Sequence, residues 1–294
     1  MTTAVTLKGV RKEYSGFALA DIDLELPEGQ VMGLVGVNGA GKSTIFRILM
    51  GLIRPDGGQA EVCGHRMPEE QVAAKREIGY ASDDMRLYKG KSLQWHMDLV
   101  RSAYLGWDER YAAQLLRRFD LRADQVAGGF SHGQRVKALL LLSLARHPKL
   151  LLLDEPTTGL DPVARAEVLE AIAEVLQDEG RSVLFSSHNT RDIEQISDSI
   201  AFLHRGRLVA VEDKESFLES YRRILCRGEW RDDIEAVAEM VSVRRNGSVI
   251  ELKVRDYHPG LTARLQGLGL AISAVDRMDL EDIFVASISE GDRQ

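Results

Sequence analysis

Only two of the 294 residues are cysteine, Cys63 and Cys226. One pair cannot form a disulfide framework, and a reducing compartment is the simplest reading. Basic residues are not in excess: 38 Lys and Arg face 45 Asp and Glu, a formal net charge of −7. That balance argues against a nonspecific nucleic-acid binder, which is normally basic, although local basic patches stay open. There is no long hydrophobic run either. The most apolar stretch, Ala138 to Ala145, is interrupted by Ser143 and followed by Arg146, far short of the ~20 residues that span a bilayer. The N-terminus, Met1 to Lys8, has neither the basic start nor the long apolar stretch of a signal peptide. A protein that does not cross a membrane alone is expected. Internal repeats and low-complexity segments are also absent.

What is present is an ordinary globular composition, 44% apolar and 28% charged, on a chain long enough for one large domain and a small one. The most informative stretch is Gly36-Val37-Asn38-Gly39-Ala40-Gly41-Lys42-Ser43, followed by Thr44. It satisfies G-x-x-x-x-G-K-[ST]. Val31 to Val35 before it reads as a short buried strand, and Ile45 to Met50 after it as a helix stopped by Gly51. The glycines let backbone N–H groups turn inward, and the helix start adds about half an elementary positive charge. Lys42 then reaches the outer phosphates of a nucleoside triphosphate, and the Ser43 hydroxyl is placed to hold Mg²⁺.

Elsewhere, Val5 to Val10 reads as a strand, with Tyr14 in a short loop beside Ser15 and Gly16. Ile22, Leu24 and Leu26 alternate with Asp21, Asp23 and Glu25, the pattern of a half-buried antiparallel strand. Arg54 to Gly58 reads as a turn before a strand at Ala60 to Cys63. From Ser92 to Leu121 the periodicity is helical, with Leu93, Met97 and Val100 on one face and Tyr111, Leu115 and Phe119 on another. Asp124 to Gly129 reads as a loop, and Phe130 to Gln134 opens an apolar helix running to about Arg146. Leu150 to Leu153 reads as a buried strand ending in Asp154 and Glu155, Pro162 to Asp178 as a helix, and Ser182 to Ser186 as the next strand, leading to His188. Ile200 to Leu203 and Leu208 to Val211 flank a hairpin at Arg205-Gly206.

A composition shift near Lys214 divides residues 1–214 from a second unit, 215–294. That unit reads as strand (Ile224–Arg227), helix (Asp232–Glu239), strand, the Asn246-Gly247 turn, strand (Ile250–Val254), helix (Leu261–Leu265), strand (Ala271–Val275) and a helix from Leu280. The order is close to βαββαβ, the ferredoxin-like arrangement. It carries no chemical motif.

An acid at the end of the leucine strand is placed to hold Mg²⁺ through its water shell, and the adjacent Glu155 to polarise an attacking water. Alone, four leucines and two acids would also fit a buried strand running into a surface loop. With the glycine loop upstream, residues 5 to 214 resemble the ATP-binding subunits of ATP-binding-cassette (ABC) transporters. The most specific element is Phe130-Ser131-His132-Gly133-Gln134, similar to the family's Leu-Ser-Gly-Gly-Gln signature. Ser131 is suited to cap that helix, whose free N–H groups form a second anion site.

The resemblance implies an α/β fold: a P-loop NTPase domain of ABC type with a mixed sheet core, an antiparallel β part and a helical subdomain at about 84–146, followed by a small C-terminal α+β domain. It implies ATP and Mg²⁺ as ligands, with Asp154 and Ser43 at the metal and Glu155 as catalytic base. Tyr14 matches the aromatic that stacks on adenine, although chemistry alone leaves an ordinary packed tyrosine open. Asp161, in Gly159-Leu160-Asp161, matches a loop that touches the opposite subunit. His188 matches the histidine at the γ-phosphate and attacking water; a histidine after a strand is otherwise usually structural. Ser131, Gly133 and Gln134 would close on the ATP of a second ATPase subunit, most simply in a homodimer.

Two positions depart from the family pattern. Asp83 stands where a glutamine usually contacts Mg²⁺ and water; a carboxylate is a good Mg²⁺ ligand but donates no hydrogen bond. His132 replaces the signature's first glycine. The leading expectation is the ATP-hydrolysing subunit of an exporter of the ABC-2 group. It would work through separately encoded integral-membrane permease subunits at the inner face of the membrane, with no nucleic-acid partner. A soluble ABC ATPase acting as a mechanical switch on ribosomes or DNA is the main rival. A regulatory ATP-binding module with slow or no hydrolysis is the third.

Overall fold

The computed structural model describes residues 2–175, 181–229, 234, 237 and 239–291. It divides into two compact units, residues 1–208 and 209–294.

In the first unit, alternating side chains build an antiparallel sheet. Strand β2 (Phe17–Pro27) buries Leu19, Ile22, Leu24 and Leu26 and exposes Asp21, Asp23 and Glu25. It pairs with β1 (Thr3–Tyr14), which pairs with β4 (Gly57–Val62), which pairs with β5 (His65–Met67). The strands run longer than the hydrophobic alternation indicates, because cross-strand hydrogen bonding extends the ladder past the buried positions. Tyr14 is therefore the last residue of β1, opposite Phe17, and not a loop residue.

The second sheet has the order β10 (Arg207–Asp213), β9 (Ser199–His204), β3 (Val31–Val35), β8 (Ser182–Ser187), β7 (Leu150–Asp154) and β6 (Ile78–Ser82). Strands β9, β3, β8, β7 and β6 run parallel. β3 and β7 are buried throughout, as continuous apolar runs in a parallel sheet require. The register sets Val35 beside Ser187, Ser186 beside Asp154, and Asp154 beside Ser82. The carboxyl ends of four strands thus line up, and loops leaving such an edge are where ligands bind in open α/β sheets. One apolar core joins the two sheets through α1 (Lys42–Leu49), whose Ile45, Phe46, Ile48 and Leu49 are buried beside Leu7, Leu24, Leu34 and Leu152.

The helical region holds α3 (Leu93–Ala103), capped by Ser92, α4 (Glu109–Arg118), capped by Asp108, and α5 (His132–Leu144). The single helical pattern from Ser92 to Leu121 is thus two helices, each started by its own cap. Three short helices have no counterpart in the periodicity: α2 (Gln71–Glu77), α7 (Thr190–Ile196) and α8 (Lys214–Ser220). At seven residues each they are too brief to establish a helical period. Helix α6 (Pro162–Val175) is described to Val175; the remainder expected to Asp178 lies outside the described residues.

The hairpin between β9 and β10 braces the glycine loop. Gly206 (φ 76°) donates to the Ala40 carbonyl at 3.0 Å and accepts from Ala20 at 2.8 Å. A Cβ on Gly206 would lie 1.8 Å from the Ala18 carbonyl oxygen. Gly206→Ala is expected to destabilise the fold by about 2 kcal/mol or more, because backbone must move and the left-handed φ adds strain. A thermal melt unchanged from that of the parent protein would contradict this bracing role.

The second unit divides from the first inside β10, before the composition change near Lys214. It contains an antiparallel sheet of order β12 (Met240–Asn246), β13 (Val249–Val254), β11 (Arg222–Arg227) and β14 (Ala271–Arg277). That is the strand order of a ferredoxin-like unit. Its core holds Ile224, Cys226, Ile250, Leu252 and Val254 against Leu261 and Leu265 of α9 (Pro259–Gly267). The helix expected at Asp232–Glu239 lies largely outside the described residues. A last helix, α10 (Leu280–Gly291), packs on β12, and its Asp282 pairs with Lys253 at 2.7 Å.

Candidate nucleotide-binding site

The loop between β3 and α1 is shaped by its glycines. Gly39 (φ 81°) and Gly41 (φ 115°) take left-handed backbone, and Gly41 precedes the first turn of α1. A Cβ on Gly41 would lie 2.6 Å from Leu19 and 2.8 Å from Phe17; one on Gly36 would lie 2.6 Å from the Leu203 carbonyl. Val37, Asn38 and Gly39 stand exposed, whereas Gly36, Ala40 and Gly41 are buried. Lys42 is only 5% exposed. Its Nζ donates to the Gly36 carbonyl at 2.6 Å and lies 3.0 Å from Glu155 Oε1. The ammonium thus bridges the glycine loop and the acid that follows β7.

Asp154 accepts from the Ser186 hydroxyl at 2.7 Å and is also hydrogen-bonded to Ser43. Burial pushes its carboxyl above the ordinary aspartate range, and the two serine hydroxyls oppose that shift. Glu155 has left-handed backbone (φ 55°), and its N–H donates to Ser186 Oγ at 2.9 Å. Its Oε2 accepts from the Thr158 hydroxyl at 2.7 Å and lies 2.7 Å from His188 Nδ1. Burial pushes this carboxyl up too, but Thr158, Lys42 and His188 outweigh it and hold Glu155 below the usual glutamate range. Glu155 is therefore an anion at neutral pH.

Ser43 and Asp154 are hard oxygen donors already in contact, a pair suited to Mg²⁺ beside a phosphate. Among the described residues there is no cluster of three or more His, Cys, Asp or Glu to hold a metal. A cation at this pair would draw its other ligands from phosphate and water. The Asp83 carboxylate faces elsewhere. Its backbone N–H donates to the Asp154 carbonyl at 3.3 Å, but Oδ1 lies 3.5 Å from Arg135 and 3.7 Å from His132. Attraction to the guanidinium accounts for that direction.

Ser131 caps α5: its hydroxyl accepts from Gln134 N–H at 3.1 Å, and Gln134 Oε1 accepts from Ser131 N–H at 3.0 Å. Asp161 caps α6, its Oδ1 accepting from the N–H groups of Val163 and Ala164. Gly16, Phe17, Asn38, Gly39, Gly41, Lys42, Ser43, Thr44 and Glu155 line a cavity of about 450 Å³. Tyr14 is exposed and stacks on Phe17 with ring centroids 6.4 Å apart. Sequence reasoning missed Phe17, which lines the cavity directly; its signal is its position across the Ser15-Gly16 turn from Tyr14. Ser186 and Arg135 escape sequence reasoning as well, since each acts through a contact between distant segments; Thr158 escapes it because no local pattern shows that its hydroxyl turns back onto Glu155.

Among the described residues, no helix is long and apolar enough to cross a membrane. The ABC transporter family profile matches residues 19–158. The daunorubicin/doxorubicin resistance ATP-binding protein DrrA of Streptomyces peucetius is 38% identical over 71% of this chain, an alignment spanning 65% of DrrA. The Nod factor export ATP-binding protein I of Cupriavidus metallidurans is 30% identical over 97% of each chain. A solved ATP-binding subunit of an ABC transporter superposes with a TM-score of 0.67 at 29% identity, covering 74% of this chain and 92% of its own. A glycine loop and an Asp-Glu strand end meeting at one cavity, with a capped signature helix in the same unit and relatives such as these, lead to one assignment: the chain belongs to the ABC transporter ATP-binding protein family.

Proposed function

We propose that this chain binds and hydrolyses ATP as the energising subunit of an ABC exporter. One observation carries the reading: Lys42 and Glu155 pair across 3.0 Å at the cavity lined by the glycine loop. That pairing supports the reading of Lys42 as the phosphate-binding cation and of Glu155 as the ionised general base. Lys42 and the loop N–H groups would bind the outer phosphates, and Phe17, backed by Tyr14, would meet the adenine. Ser43 and Asp154 would hold Mg²⁺, which neutralises phosphate charge when bound. Glu155 would accept a proton from the attacking water, with His188 orienting its carboxylate.

The helix start capped by Ser131, with Gly133 and Gln134, is a second anion-binding end. It would serve the ATP of a second subunit, so ATP binding would close a dimer and hydrolysis reopen it. Asp161 would sit near that interface. We assign residues 1–214 to the ATPase domain and 215–294 to a small C-terminal domain. Export is favoured because the relatives include a drug-resistance protein and a Nod factor export protein, the second aligned through the C-terminal unit. The protein would then lie on the cytoplasmic face of the membrane, held there by permease subunits.

Affinity purification of the full chain from detergent-solubilised membranes should recover a polytopic membrane protein in an ATP-hydrolysing complex. A pool bound instead to ribosomes or DNA would overturn the transporter reading in favour of a soluble mechanical ATPase.

A further inference from the structure

Asp83 and His132, which both depart from the family pattern, meet in the folded chain. Arg135 Nη2 lies 2.6 Å from His132 Nδ1, and His132 Nε2 lies 2.7 Å from the Thr158 carbonyl oxygen. A guanidinium offers only donors, so Nδ1 must accept. A carbonyl only accepts, so Nε2 must carry the proton and donate. Both neighbours select the same neutral tautomer. Asp83 Oδ1, 3.5 Å from the same guanidinium nitrogen and 3.7 Å from Nδ1, holds the arginine against the ring.

The Thr158 end of this chain of contacts reaches the acid. The Thr158 hydroxyl donates to Glu155 Oε2 at 2.7 Å, the oxygen that also meets His188. Gly159 follows with left-handed backbone (φ 71°), and a Cβ there would come within 3.3 Å of His132 Nε2. The loop after Glu155 therefore turns closely around the imidazole. With glycine at position 132, as in the family signature, the Thr158 carbonyl would lose this side-chain donor.

We propose that His132 is a positioning residue for hydrolysis. Its Nε2–H fixes the Thr158 carbonyl, Thr158 fixes the Glu155 carboxylate, and Asp83 with Arg135 fixes the imidazole. The four residues then form a link from the segment after β6 to the general base, within one subunit. The inference rests on the reading of Glu155 as that base.

The test uses the full-length chain with ¹⁵N-labelled histidine. Imidazole ¹⁵N spectra without nucleotide, assigned by the signals that His132→Gln removes, should show Nδ1 unprotonated and Nε2 protonated at neutral pH. The opposite tautomer, or a doubly protonated ring, would overturn the proposal. In steady-state ATPase assays His132→Ala should lower kcat about three- to tenfold, the worth of one hydrogen bond, with KM for ATP within about twofold. His132→Gln, whose amide nitrogen reaches where Nε2 stood, should restore kcat; His132→Asn, whose amide reaches only the Arg135 side, should not. Equal rates for the three variants would reduce the residue to a packing role and sink the idea. If the parent protein hydrolyses no ATP, the functional reading falls and the role falls with it, while the spectra still report the contact. An active protein with no rescue by glutamine overturns the role of His132 alone.

Discussion

Glu155→Gln should lower ATP turnover by roughly 10² or more while leaving ATP binding intact. The amide is nearly the same shape as the carboxylate and still offers an oxygen to the Thr158 hydroxyl. It has no charge and cannot take a proton from water. In the native chain the Lys42 ammonium, the Thr158 hydroxyl and His188 overcome the upward push of burial and keep this carboxylate ionised. If Glu155 is the base, it is thus ionised by its surroundings before any substrate arrives. A variant that binds ATP but does not hydrolyse it should also accumulate as an ATP-bound dimer, which size-exclusion chromatography reads directly. Near-normal turnover would show that another group accepts the proton.

Lys42→Ala should weaken ATP binding by about tenfold to a hundredfold, because a charge-assisted hydrogen bond to phosphate contributes about 1.5–3 kcal/mol. The loss has a second part inside the protein. Among the described residues Glu155 Oε1 is a buried oxygen with no hydrogen-bond partner, and the ion pair with Lys42 at 3.0 Å compensates its side of the carboxylate. Removing the ammonium leaves that anion with only Thr158 and His188 to compensate it, which should lower thermal stability and raise the affinity of Glu155 for protons. Lys42→Met, which keeps most of the aliphatic stem, separates the charge from the packing and should behave like the alanine variant. ATP titration by fluorescence, alongside thermal melts, checks both parts. Unchanged ATP affinity would remove Lys42 from the site.

These effects differ in how far the residues alone reveal them. The glycine loop is legible because its chemistry is contiguous: three glycines, Lys42 and Ser43 stand within eight positions, and the buried strand and helix beside them are encoded by short periodicities. Asp154 and Glu155 are legible for the same reason, as two acids ending a run of leucines. The succession of strands along the second unit is legible because its turns, such as Asn246-Gly247, are marked locally, whereas their order across the sheet is a matter of tertiary pairing. The helices α2, α7 and α8 are not legible, since seven residues hold too little periodicity and their formation depends on what they pack against.

By itself, then, the sequence determined a triphosphate-binding loop, an acidic strand end, a capped signature helix and a two-part chain, all properties of contiguous residues. Tertiary structure decided which of these groups touch. The parallel register that places Ser186 beside Asp154 joins positions 32 residues apart in the chain, and it brings Glu155 within reach of both Lys42 and His188. It also decided where Asp83 points. In the sequence that residue is a candidate metal ligand; in the folded chain its carboxylate faces Arg135 and His132, the latter 49 positions further along the chain. The reason is physical: the direction of a charged side chain follows the field and space made by neighbours from other segments, and no local window contains those neighbours.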